Sequence, residues 1–99
     1  MDPTPFRSAP PEGLPFDLRD LRAAMSWAAD RPGVLLSVTT DHPQVPEAIE
    51  IYPPGSSSPR WCIWRDYEGH LRVDDWAGYK FDLPYPTLLK ALGFISSSL

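Results

Sequence analysis

The residues in this chain with the most obvious chemical capacity are Cys62, His70 and Asp74, with a second histidine at His42 beside Asp41. A Cys–His pair makes a nucleophile when the imidazole can take the thiol proton. A zinc site needs several such groups at ligand spacing. Neither arrangement is met. With one cysteine and two histidines there is no C-x-x-C, H-E-x-x-H or H-x-H pattern, and no metal or cofactor is expected. Cys62 and His70 belong to the two arms of a hairpin. The hairpin register puts Cys62 opposite Asp74, with His70 four residues further along. At about 3.3 Å per residue that is roughly 13 Å, too far for one zinc or for proton transfer. Asp74 and Asp75 are adjacent on a strand and so point to opposite faces, which rules out a paired acid and base. The Gly55-Ser56-Ser57-Ser58 stretch lacks the lysine and second glycine of a phosphate loop and reads as a connection.

A different chemistry is carried by aromatic and acidic residues. Four tryptophans in 99 residues, with 13 acidic against 9 basic side chains and a net charge of −4, suit a contact surface more than a catalytic pocket. Trp64, Trp76, Tyr79, Asp74 and Trp27 are the expected partner-binding residues. Their aromatic rings supply area, and the carboxylate pairs with arginine or lysine. The negative balance disfavours nucleic acid, which is met by basic surfaces, and it disfavours an anionic membrane. The expected partner is a larger protein with a basic surface. The expected role is that of a small acidic regulator or inhibitor of bacterial or phage type, non-enzymatic, with mimicry of nucleic-acid charge as one form of it. Two alternatives belong to other classes. One is a hydrolase or transferase whose His70, Cys62 and Asp74 meet between protomers. The other is a single-strand nucleic-acid binder using Trp64, Trp76 and the arginines Arg60, Arg65 and Arg72.

These residues need a scaffold, and the sequence describes one. Residues 1–15 hold five prolines and read as an extended arm, leaving residues 16–99 as a single domain. Asp17 is placed as a helix N-cap, with Phe16 and Leu21 as a staple across it. Leu18, Leu21, Met25 and Ala28 recur at helical spacing as the apolar face of a helix over 18–30, ended by Pro32-Gly33. Trp27 then falls on the opposite side. Alternation over Val34–Thr40 and Glu47–Tyr52 predicts two strands, the second with Ile49 and Ile51 inward. Arg60–Asp66 and His70–Trp76 predict a hairpin turning at Tyr67-Glu68-Gly69. A three-residue turn pairs Ile63 with Val73, whereas a two-residue turn would oppose Arg65 and Arg72. One hairpin face, with Trp61, Ile63, Leu71 and Val73, is expected in the core. Residues 77–83 read as extended, with a short further strand through Tyr79 and Phe81. Pro86-Thr87 opens a last helix with Leu88, Ala91, Leu92, Ile95 and Leu99 along one side.

The fold class is therefore α+β: an antiparallel sheet of about four strands, a β-meander with a C-terminal hairpin, covered by an N-terminal and a C-terminal helix in the order α-β-β-β-β-α. A lone cysteine excludes an internal disulfide and fits a reducing, cytoplasmic setting. No apolar run approaches the length of a membrane span.

Overall fold

The computed structural model describes residues 13–41, 45–76 and 80–99, with the backbone alone over 80–83. The expected arm up to residue 12, the His42 loop and Tyr79 lie outside the described residues. The elements in order are β1 (Gly13–Leu14), α1 (Leu18–Ala29), β2 (Leu35–Thr39), β3 (Ala48–Tyr52), β4 (Trp61–Asp66), β5 (Leu71–Asp75), β6 (Lys80–Tyr85) and α2 (Leu88–Ser96). The α+β class and its helix–sheet–helix order are as expected. The sheet is wider than four strands. Its order is β2-β3-β4-β5-β6, every neighbour antiparallel, and β1 pairs with the far end of β4. Gly13 and Leu14, expected in the arm, are thus part of the sheet. No helix among the described residues is long and apolar enough to cross a membrane.

The hairpin sets the frame. Ile63 stands opposite Val73, Trp64 opposite Arg72 and Arg65 opposite Leu71. Gly69 takes φ +87°, the left-handed conformation that a three-residue turn requires. Asp66 locks that turn. Its Oδ1 accepts from the backbone N–H of Glu68 and of His70, each at 2.9 Å, and its Oδ2 accepts from Arg72 Nε at 2.8 Å. On the helix side of the sheet, Ile49, Ile51, Trp61, Ile63, Leu71 and Val73 meet Ala24 and Trp27 of α1 and Leu88, Ala91, Leu92 and Ile95 of α2 in one buried cluster. Arg60, paired with Asp75 at 3.2 Å, lies over the Trp61 ring and closes one end of this core. Arg65 ties the other end to α1 through Asp20 Oδ2 at 2.6 Å.

Both helices start on side-chain caps. Asp17 accepts from the Asp20 N–H at 2.9 Å, and Asp20 reaches back to the Asp17 N–H, a reciprocal box. Thr87 caps α2 through the Lys90 N–H. The rotation of α1 differs from expectation. Leu18 and Met25 are exposed, and Ala24 and Trp27 are buried. Trp27 is 8% exposed, and its Nε1 donates to Ser96 Oγ of α2 at 2.9 Å. Leu21 and Ala28 do pack against the core. The helix is turned by about a third of a turn from the Leu18–Met25 stripe. Trp27 wins because one indole removes more apolar area than either competing side chain, and its N–H finds a partner. Ala24, on the same face as Trp27, is fully buried.

Candidate functional site

The two helices cover one side of the sheet. No helix among the described residues lies on the other, where strand alternation and register assemble a mixed surface from four strands. Ser37, Glu50, Cys62 and Asp74 form one cross-strand row through β2, β3, β4 and β5. Thr39, Ala48, Trp64 and Arg72 form the next. The hairpin ladder runs on past β5, because the Trp76 N–H donates to the Arg60 carbonyl at 2.8 Å. Trp76 thereby continues the outward series Arg72, Asp74, Trp76.

Each side chain in this surface is held. Trp64 is half-buried, its Nε1 donating to Asp74 Oδ2 at 3.2 Å, and it packs with Val45, Ala48 and Cys62 as a small second core. Ser37 Oγ donates to Glu50 Oε1 at 3.3 Å. Arg72 is turned toward Asp66 in an ion pair of 2.8 Å, and Glu50 and Asp74 lie on the open face on either side of Cys62. Those two carboxylates stand on strands either side of Cys62, roughly 10 Å apart at ordinary strand spacing. Burial pushes the Cys62 thiol up to about 12, with the negative charges of Asp74 and Glu50 adding to the effect. Trp76 is 52% exposed and offers its ring to solvent beside this row.

Of the residues expected to bind a partner, Trp64, Asp74 and Trp76 share this open face. Trp27 does not: it lies in the core on the far side of the sheet, and its ring is already spent on packing against α2. Tyr79 lies outside the described residues. Glu50 is the member the sequence did not nominate. Its outward direction was legible, but its place beside Cys62 depends on the β3–β4 register, which the long connection over 53–60 leaves unspecified by local pattern.

The chemistry weighed for Cys62 is closed off locally. The side chain is 1% exposed, so a second protomer has no access to it. A thiol raised by burial holds its proton and is a weak nucleophile at neutral pH. His70 sits at the hairpin tip, four residues from the Cys62 partner Asp74, as the register requires. Around it Asp66, Glu68 and His70 do gather, with ligand atoms within 4.8 Å of one another. The Asp66 carboxylate is nevertheless committed to two backbone N–H groups and to Arg72. A cation entering there would face the Arg72 charge and would have to displace the hydrogen bonds that make the turn. The cluster is a turn lock.

Comparison with family models, with curated proteins and with solved structures finds no match.

Proposed function

We propose that this chain is a non-enzymatic protein-binding module that seats its open sheet face on a basic surface of a larger protein. The observation that carries this reading is the pairing of Glu50 and Asp74 with the aromatic side chains of Trp64 and Trp76 on a sheet face that no helix among the described residues covers. Exposed aromatic area next to carboxylates is the composition from which interface centres are built. Trp64 is pre-ordered by its bond to Asp74 and its packing over Cys62, so little side-chain entropy remains to be lost on association. Glu50 and Asp74 steer a positively charged partner and pair with its arginine or lysine side chains. Two carboxylates about 10 Å apart are far sparser than duplex DNA, with one charge per roughly 1.7 Å of axis. The reading is therefore protein recognition without charge mimicry.

The test is affinity capture from the source cell with wild type, Trp76→Ala and the Glu50→Gln/Asp74→Asn pair, each checked for native circular dichroism. Wild type should retain a protein that Trp76→Ala holds at least about tenfold more weakly, given the usual weight of a tryptophan anchor. The acid pair should slow association and flatten its salt dependence. The same proteins retained equally by all three folded forms would remove this face from consideration.

A further inference from the structure

We propose that the outer side of the helix layer, where the first turns of α1 and α2 lie together, is a docking surface for an anionic lipid membrane. The two helices run side by side in the same direction. Asp20, in the first turn of α1, is tied to Arg65 beside the hairpin tip. The helix α2 starts at that same end, because Tyr85 just before it pairs with Leu71. Toward the other end Trp27 of α1 bonds to Ser96 of α2. At about 100° per residue, Arg22 falls opposite the buried Ala24–Trp27 side of α1. Arg19 falls between Arg22 and Trp27, on the flank toward α2. In α2, Lys90 falls opposite buried Leu88 and Ile95, and Leu89, two turns before Ser96, leans toward α1.

This end of the layer gathers charge of one sign. Among the described residues, Arg60, Arg65 and Arg72 are held in ion pairs, and Arg31 lies on the Trp27 ring. Arg19, Arg22 and Lys90 are exposed and join none of the ion pairs among the described residues. The acids of the same turn are engaged. Asp20 Oδ2 meets Arg65 at 2.6 Å, and Asp17, whose charge acts on Arg19, is turned onto the Asp20 N–H at 2.9 Å. Glu50 and Asp74 belong to the opposite face of the sheet. The net charge of −4 disfavours an anionic membrane only as an average over the chain. In about 0.1 M salt an exposed charge is felt over about 10 Å, so the patch acts by its own sign. Apolar area accompanies the cations. Leu18 is 62% exposed and Leu89 66%, each in the first turn of its helix. A soluble polyanion would satisfy the three cations and leave both leucines in water. An anionic lipid surface takes both. Its headgroups pair with Arg19, Arg22 and Lys90, and the leucine side chains enter the interface beside the acyl chains. Docked in this way, the chain lies on the bilayer without spanning it and turns the open face of its sheet away from the lipid.

The test is flotation of the full chain with vesicles of phosphatidylcholine alone and of phosphatidylcholine mixed equally with phosphatidylglycerol. It compares wild type, Arg19→Gln/Arg22→Gln and Leu89→Gln. All of these positions are exposed, and near-ultraviolet circular dichroism checks the fold of each variant. Wild type should float with the anionic vesicles and stay behind with the neutral ones. Each cation near such a surface is worth about fivefold in partitioning, so loss of both arginines should lower it roughly 25-fold. Leu89→Gln keeps every charge and should still lower it about tenfold, the weight of one leucine side chain taken out of water. A second measurement needs no variant. Raising the salt from about 0.1 M to about 1 M shortens the screening length from about 10 Å to about 3 Å and should release wild type. Wild type that fails to float with anionic vesicles, or floats equally with neutral ones, overturns the proposal. So does flotation that high salt or loss of the two arginines leaves unchanged. Flotation unchanged by Leu89→Gln also overturns it, and assigns the patch to polyanions in general.

Discussion

At the scale of single residues, environment decides chemistry more than residue type does. Cys62 is the clearest case: burial, and then the charges of Asp74 and Glu50, hold its proton to about 12. Native protein at pH 8 should react with a thiol reagent orders of magnitude more slowly than the same chain in denaturant, where an ordinary thiol near 8.5 is recovered. Following the reaction by absorbance checks this directly. Asp66 shows the opposite balance. Burial raises its pKa, but the hydrogen bond from Arg72 and those from the backbone of His70 and Glu68 outweigh it, and the carboxyl ends below its ordinary value of 3.8. A carboxylate depressed in the folded state contributes stability above its unfolded pKa and loses it as pH falls through the folded value. Urea unfolding at pH 7 should therefore find Asp66→Asn less stable than wild type. The gap should narrow as pH drops below about 4, because the wild-type group then takes up its proton. The sequence identified the residues at the turn, with Asp66 as the last residue of the strand before it. The convergence of two N–H groups and a guanidinium on one carboxylate depends on side-chain geometry, which spacing alone does not encode.

Among the elements, those with strong local rules were legible and those fixed by competition were not. The β4–β5 register followed from turn length and like-charge avoidance, both local. The cap at Asp17 followed from residue type, as did the start of α2 at Pro86-Thr87, though not the role of Thr87 as its cap. The rotation of α1 did not, because Leu18 and Met25 weigh as much as Trp27 in a simple apolar count, and only the fit against α2 chooses between them. The extent of the sheet was also hidden. A two-residue strand such as β1 has no periodicity to detect, and β6 carries a proline that argues against a strand at any place but an edge. Gly13 sits so close to the Arg65 carbonyl and the Val45 side chain that an added methyl would clash with both, a constraint invisible before β1 is placed on β4. Gly93 is the converse. It is exposed within α2, and a Cβ there meets nothing within 4 Å. Gly93→Ala should stabilise the protein by about 0.5–1 kcal/mol, raising the melting temperature by a few degrees for a domain of this size. Thermal unfolding followed by circular dichroism is the measurement.

For the whole molecule, Trp27 is the residue that unites the fold. It belongs to the first helix and hydrogen-bonds to the last, across 69 positions of the chain. Trp27→Ala should cost about 3–5 kcal/mol, the range for deleting a large buried side chain, and should be read in the midpoint of denaturant unfolding. A surface tryptophan lost from a contact patch would leave that midpoint nearly unchanged. The placement of the two covering helices has one more consequence. The four buried apolar residues of β4 and β5 that line the core, Trp61, Ile63, Leu71 and Val73, are made before Leu88, Ala91, Leu92 and Ile95 exist. During synthesis, then, the greasy side of the sheet emerges with only half its roof, and stays so until α2 has been made and has docked. Chaperone demand should concentrate in the interval between completion of β5 and docking of α2.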